Sequence, residues 1–147
     1  MLRSSSRSRP ALSRTRRAIA AVEFAVVVPF ILLLATGAFE VARGIIVRQA
    51  LTDAARKACR TGALPGEANS NITSDVNDIL TDNSIPTSDA TITILVNGQA
   101  VDASTAQQGD QVSVKVAVPF NKVTWTPLFF FTNTSLESET LVMMRQG

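Results

Sequence analysis

Histidine and tyrosine are absent from this 147-residue chain, and cysteine occurs once, as Cys59. Without His, a lone thiol cannot assemble the common zinc sets or a Cys-His pair, no serine has an imidazole base, and one Cys cannot close an internal disulfide. Most hydrolytic chemistry is excluded on that ground. The carboxylates that remain (Asp75, Asp78, Asp82, Asp89, Asp102, Asp110) are scattered over polar segments that read as solvated surface, so neither enzymatic activity nor a cofactor or metal is expected. Aromatic residues are also scarce, with one Trp and seven Phe. Four of these eight fall in one run, WTPLFFF at residues 125–131, as Trp125, Phe129, Phe130 and Phe131. The run reads either as core packing or a membrane-facing loop, or as a docking patch for a partner subunit, because large apolar clusters often mark interfaces.

Charge is missing where the chain is most apolar. Residues 18–39, AIAAVEFAVVVPFILLLATGAF, hold one ionisable side chain, Glu23, in twenty-two positions. As a helix this stretch would cover about 33 Å, close to the ~30 Å hydrocarbon thickness of a bilayer. Twelve of its residues are Ile, Leu, Val or Phe. Each favours insertion by about 0.3–0.6 kcal/mol, against roughly 2.5–3.5 kcal/mol for an ion at the helix centre. Glu23 lies near the end, where the cost is lower, so insertion survives it. Its carboxylate either snorkels to the headgroups or is neutralised by a partner. Pro29 removes one backbone hydrogen bond and is expected to kink the helix, which membrane helices tolerate. Gly37 and Gly44 loosen the helix or admit a close neighbour.

Acids are absent from residues 1–17, where Arg3, Arg7, Arg9, Arg14, Arg16 and Arg17 stand among Ser and Ala. This leader is expected to be disordered and cytoplasmic. An arm of this kind can bind RNA. However, residues 1–60 carry eleven Lys or Arg against three acids, and residues 61–147 three against nine. That division is a membrane-protein pattern, and no nucleic-acid partner is expected. Arg43, Arg48, Arg56, Lys57 and Arg60 also count toward orientation. Because Arg16 and Arg17 touch the apolar run, while the downstream bases are diluted by Glu40 and Asp53, the N-terminus is placed inside.

Helical periodicity continues past the span. In residues 40–62, Val47, Leu51, Ala54 and Ala58 recur at spacings of four, three and four, with the charges mostly elsewhere on the wheel. An amphipathic stalk is predicted, stopped by Gly62 and Pro65-Gly66. Cys59 falls in its last turn, either as a small buried residue or as a partner for an intermolecular disulfide. Residues 67–83 place Ile72, Val76, Ile79 and Leu80 on one face of a short second helix. Residues 90–101 alternate at Ile92, Ile94 and Val96 before Asn97-Gly98, a type I′ hairpin signal. The clearest strand alternates over Val112, Val114, Val116, Val118 and Phe120, and a third candidate runs from Leu136 to Met144. Two Asn-x-Ser/Thr matches, at Asn71 and Asn133, read as chance. The fold class is therefore α+β: a leader at 1–17, a transmembrane helix at 18–39, a stalk at 40–62, and a small head at 63–147 with an antiparallel sheet of about three strands.

The stretch RRAIAAVEFAVVVPFILLLATGAFEVARG, followed by VRQALTDAARKACRTGALPG, resembles the TadE-like family of bacterial pilus-assembly proteins. The resemblance is close over roughly residues 16–66 and architectural beyond. VEFA at Val22 to Ala25, Pro29, Gly37-x-x-Glu40 and RQALTDAAR from Arg48 carry it. It implies a minor pilin or pseudopilin of a Tad (Flp-type) pilus or secretion system, in the bacterial inner membrane with the head extracytoplasmic. Implied partners are membrane lipid, other pilin subunits, the assembly machinery and a prepilin-type peptidase. The leader would be cut between Ala18 and Ile19, beside the basic Arg16 and Arg17, with Glu23 at the fifth mature position. The family usually carries Gly where this chain has Ala18, which is small but lacks Gly's backbone freedom. Glu40 is a candidate for an assembly interface, as is the aromatic run on its docking-patch reading. Two other readings compete: a membrane-anchored extracytoplasmic binding module, and a secreted domain cut near Ala35-x-Gly37.

Overall fold

Between Leu12 and Pro29 the sequence contains no helix breaker and is rich in Ala, Arg and aliphatic residues, and it folds as the start of one long helix. The computed structural model describes residues 12–124 and 134–146, with side chains from residue 18 onward. Helix α1, Leu12–Gly62, has 51 residues and runs through Pro29. It begins six residues before the expected start of the transmembrane helix at residue 18, so Arg14, Arg16 and Arg17 lie on helical backbone. The chain divides into two units, Met1–Ala38 and Phe39–Gly147. Among the described residues the first unit is helix alone.

In the second unit the predicted face of α1 is the core. Val47, Leu51, Ala54, Ala55 and Ala58 are fully buried, with Ala50 and Cys59 beside them. Four of these residues are alanines, and they share one core cluster with Val114, Val116 and Val118. Helix α2, Asn69–Asp82, buries Ile72, Val76 and Leu80, as its spacing requires. The segment predicted as a stalk is thus the central element of the head.

The sheet is antiparallel and centred on β2, Gln111–Pro119, whose alternation buries Val112, Val114, Val116 and Val118 against the helices. Strand β1, Thr91–Val96, pairs along one edge, in register from Thr91 opposite Ala117 to Val96 opposite Val112. Along the other edge β3, Ser135–Glu137, and β4, Leu141–Met144, pair end to end. They are the predicted third strand, interrupted once. Ala117 faces Glu137 and Val114 faces Leu141, so two residues of β2 oppose three. This is a one-residue bulge. Ser138 fills the break: its N–H donates to the Val116 carbonyl at 2.8 Å and its hydroxyl oxygen accepts from the Val116 N–H at 2.9 Å.

Asn97 (φ 50°) and Gly98 (φ 79°) form the expected turn, but it does not join β1 to β2. It closes only Val96 onto Gln99. The residues that follow include Asp102 and Gly109 and carry no alternating apolar run, so the chain loops out and returns at Gln111, where the N–H donates to the Asn97 side chain at 2.9 Å.

Candidate functional site

The apolar half of α1 is exposed on every side. No side chain from residue 18 to 39 is buried, and Phe24, Phe30, Leu34 and Phe39 are each about two-thirds exposed. The one hydroxyl in its last turns, on Thr36, donates to the carbonyls of Leu32 and Leu33 at 3.0 Å, so it presents no unsatisfied group. This helix is long and apolar enough to cross a membrane. Glu23 stands on its surface, with Ile19 and Ala20 one turn before and Val26 and Val27 one turn after. Its carboxylate has no hydrogen bond or ion pair among the described residues. Ile19 lies on the same helix face as Glu23, and the Ala18–Ile19 bond is inside the helix. A carboxylate so placed either reaches the headgroup layer or is met by a group outside this face. Residues 18–60 match the TadE-like protein family. The match covers the apolar segment, Glu23 and most of the core face of α1, and it stops before the sheet. No curated protein and no solved structure matches the chain.

In the part of the matched segment that belongs to the second unit, the structure departs from the sequence reading. Glu40, expected in an assembly surface, points inward and is 2% exposed, and the Thr124 hydroxyl donates to its carboxylate. Arg43, read only as an orientation charge, is 8% exposed. Its guanidinium donates to the Val123 carbonyl at 3.3 Å and to the Ser84 carbonyl at 3.4 Å. The two residues extend the core face by one turn in the series 40, 43, 47, 51, 54, 58, a spacing visible in the sequence had polar residues been admitted to it. Gly44 serves the same junction: a Cβ there would lie 3.3 Å from the Phe120 ring, so the close neighbour it admits is this chain's own aromatic residue. Trp125, Phe129, Phe130 and Phe131 lie outside the described residues.

At the far end of α1, Arg145 was not singled out by the sequence reading. It is 6% exposed and donates to the carbonyls of Gly62 (3.2 Å) and Ala103 (2.7 Å), so it meets the negative end of the helix. Cys59 is buried, its thiol donates to the Val112 carbonyl at 3.2 Å, and burial raises its pKa. The surface acids hold local structure. Burial pushes the Asp75 pKa up, but hydrogen bonds from Thr61 and Lys57 outweigh it, so the net shift is downward. Lys57 meets Asp75 at 2.9 Å, which raises the lysine pKa and ties α1 to α2. Asp102 accepts from the Ser104 N–H at 2.8 Å. Asp110 accepts from the Gln107 N–H at 2.7 Å and from Asn97 at 2.8 Å, which lowers its pKa. Among the described residues no group of three or more metal-ligating side chains converges.

Proposed function

We propose that the chain is a membrane-anchored minor pilin or pseudopilin that contributes to a Tad (Flp-type) pilus or related secretion apparatus, and that it is not an enzyme. One observation carries this reading. The family match coincides with an apolar helix whose only ionisable residue, Glu23, sits on a surface where nothing among the described residues neutralises it. A prepilin-type peptidase acting on the cytoplasmic side would release the Ile19 amine one turn from Glu23. A charge pair in lipid costs far less than either ion alone. The amine of the same or a neighbouring subunit then neutralises the carboxylate, and assembly is favoured. Because the Ala18–Ile19 bond is helical, processing requires local opening of the helix, which is easiest near its beginning.

The test has two parts. N-terminal sequencing of the membrane-bound protein should begin at Ile19; an intact Met1 favours a plain anchor, and a start near Ala38 favours an exported soluble domain. Glu23→Gln should leave membrane insertion intact while blocking incorporation into the apparatus, read by co-purification with other subunits from membranes. Normal incorporation of Glu23→Gln defeats the assembly role.

A further inference from the structure

Within the head unit, the two faces of α1 change character at different places. Glu40 and Arg43 sit on the buried face, bonded to the head. The opposite face between Phe39 and Ile46 therefore presents no charge. It carries Phe39 (68% exposed), Val41 (57%), Ile45 (55%) and Ile46 (49%). From the next exposed residue onward the surface is polar: Arg48, Gln49, Thr52, Asp53 and Arg56 line one shallow groove with Ile45. The apolar outer surface thus ends between Ile46 and Arg48, seven residues beyond the boundary at 39 that Glu40 suggested in the sequence.

Length decides what covers this face. Residues 18–46 span about 43 Å as a helix, more than the ~30 Å hydrocarbon core but equal to the ~40–45 Å of a bilayer with its headgroup layers. The face is continuous with a segment exposed on all sides, and it closes on an arginine, the side chain that meets lipid phosphate at the interface. We propose that Val41, Ile45 and Ile46 are seated in the interfacial layer of the membrane with Arg48 at the phosphates. The membrane boundary then falls within the first turns of α1 in the second unit. The inference depends on the membrane-anchored reading above.

Site-directed spin labelling of the full chain in nanodiscs of zwitterionic and anionic phospholipid tests it. Single cysteines would be introduced as Ile31→Cys, Val41→Cys, Ile45→Cys, Thr52→Cys and Arg56→Cys, with the unsubstituted chain, whose Cys59 is buried, as the unlabelled control. The ratio of oxygen to nickel-chelate accessibility should be highest at 31, several-fold higher at 41 and 45 than at 52 and 56, and low at the last two. A nickel-accessible label at 31 removes the membrane reading itself. A lipid-like label at 31 with water-like labels at 41 and 45 overturns only the interfacial seating of Val41, Ile45 and Ile46. Labels at 41 and 45 shielded from both reagents overturn it too, because a protein surface then covers the face.

Discussion

Gly62 is the last residue of α1, and a methyl group placed there would meet two side chains at once. Its Cβ would lie 2.9 Å from Ile72 Cδ1 and 2.9 Å from Val112 Cγ1. Ordinary carbon contacts are about 3.5–4.0 Å, so each neighbour must retreat by roughly 0.6–1 Å. Ile72 and Val112 are both fully buried, and overpacking of this kind costs about 1–3 kcal/mol. Replacing glycine by alanine in a helix returns roughly 0.5–1 kcal/mol. The steric term wins, and Gly62→Ala should destabilise the head by about 1–2 kcal/mol. For a unit of this size that lowers the melting temperature by about 4–8 °C. Thermal unfolding of the full chain in mild detergent, followed by circular dichroism, measures the shift. Removing Cδ1 with Ile72→Val should relieve part of the clash, so the cost of Gly62→Ala should fall by at least about 0.5 kcal/mol in that background. A higher melting temperature for Gly62→Ala, or strictly additive single changes, would refute the contact.

Arg145→Met removes the donor from two buried carbonyls, those of Gly62 and Ala103, and should cost about 1–3 kcal/mol in the same melting experiment. The Asp110 pKa lies below 3.8 in the folded head because Gln107 and Asn97 bond its charged form. Its contribution to stability is therefore present above pH 3.8 and is lost as pH falls through the lower folded value, so Asp110→Asn should flatten the acid limb of a melting temperature versus pH curve. Cys59, with its raised pKa and buried thiol, should resist a thiol-specific reagent in the native protein and react fully in denaturant, and non-reducing electrophoresis should show no disulfide-linked dimer.

The elements that could be read from the sequence are those in which one physical demand fixes a period. Val112, Val114, Val116 and Val118 had to lie on one sheet face, and Val47, Leu51, Ala54 and Ala58 on one helix face, and both sets are fully buried. What escaped was decided by contacts distant in sequence. The break between β3 and β4 depends on a single serine side chain standing in for a backbone partner across 22 residues. Asn97-Gly98 reported its own turn faithfully, yet a turn signal carries no information on whether the following residues form a strand. Glu40 and Arg43 were misread because charge is taken as a mark of exposure. Their partners, Thr124, Val123 and Ser84, lie 84, 80 and 41 residues away. In the candidate site, the apolar segment and Glu23 were legible because lipid imposes composition along a continuous stretch of chain. The boundary at Ile46 was not, since it exists on only one face of the helix.

The burial of Glu40 and Arg43 also constrains how the head can work. Charged groups in a protein interior are stable only while their bonding partners stay in place. The segment at Val123–Thr124 and the turn at Ser84 are therefore fastened to the first turns of α1 in this unit. Further along, Val47, Leu51 and four alanines share one buried cluster with Val114, Val116 and Val118 of β2, and Lys57 and Thr61 fasten α2, and Arg145 the chain after β4, to the end of α1. A displacement of β2 is then a displacement of α1 from residue 40 onward.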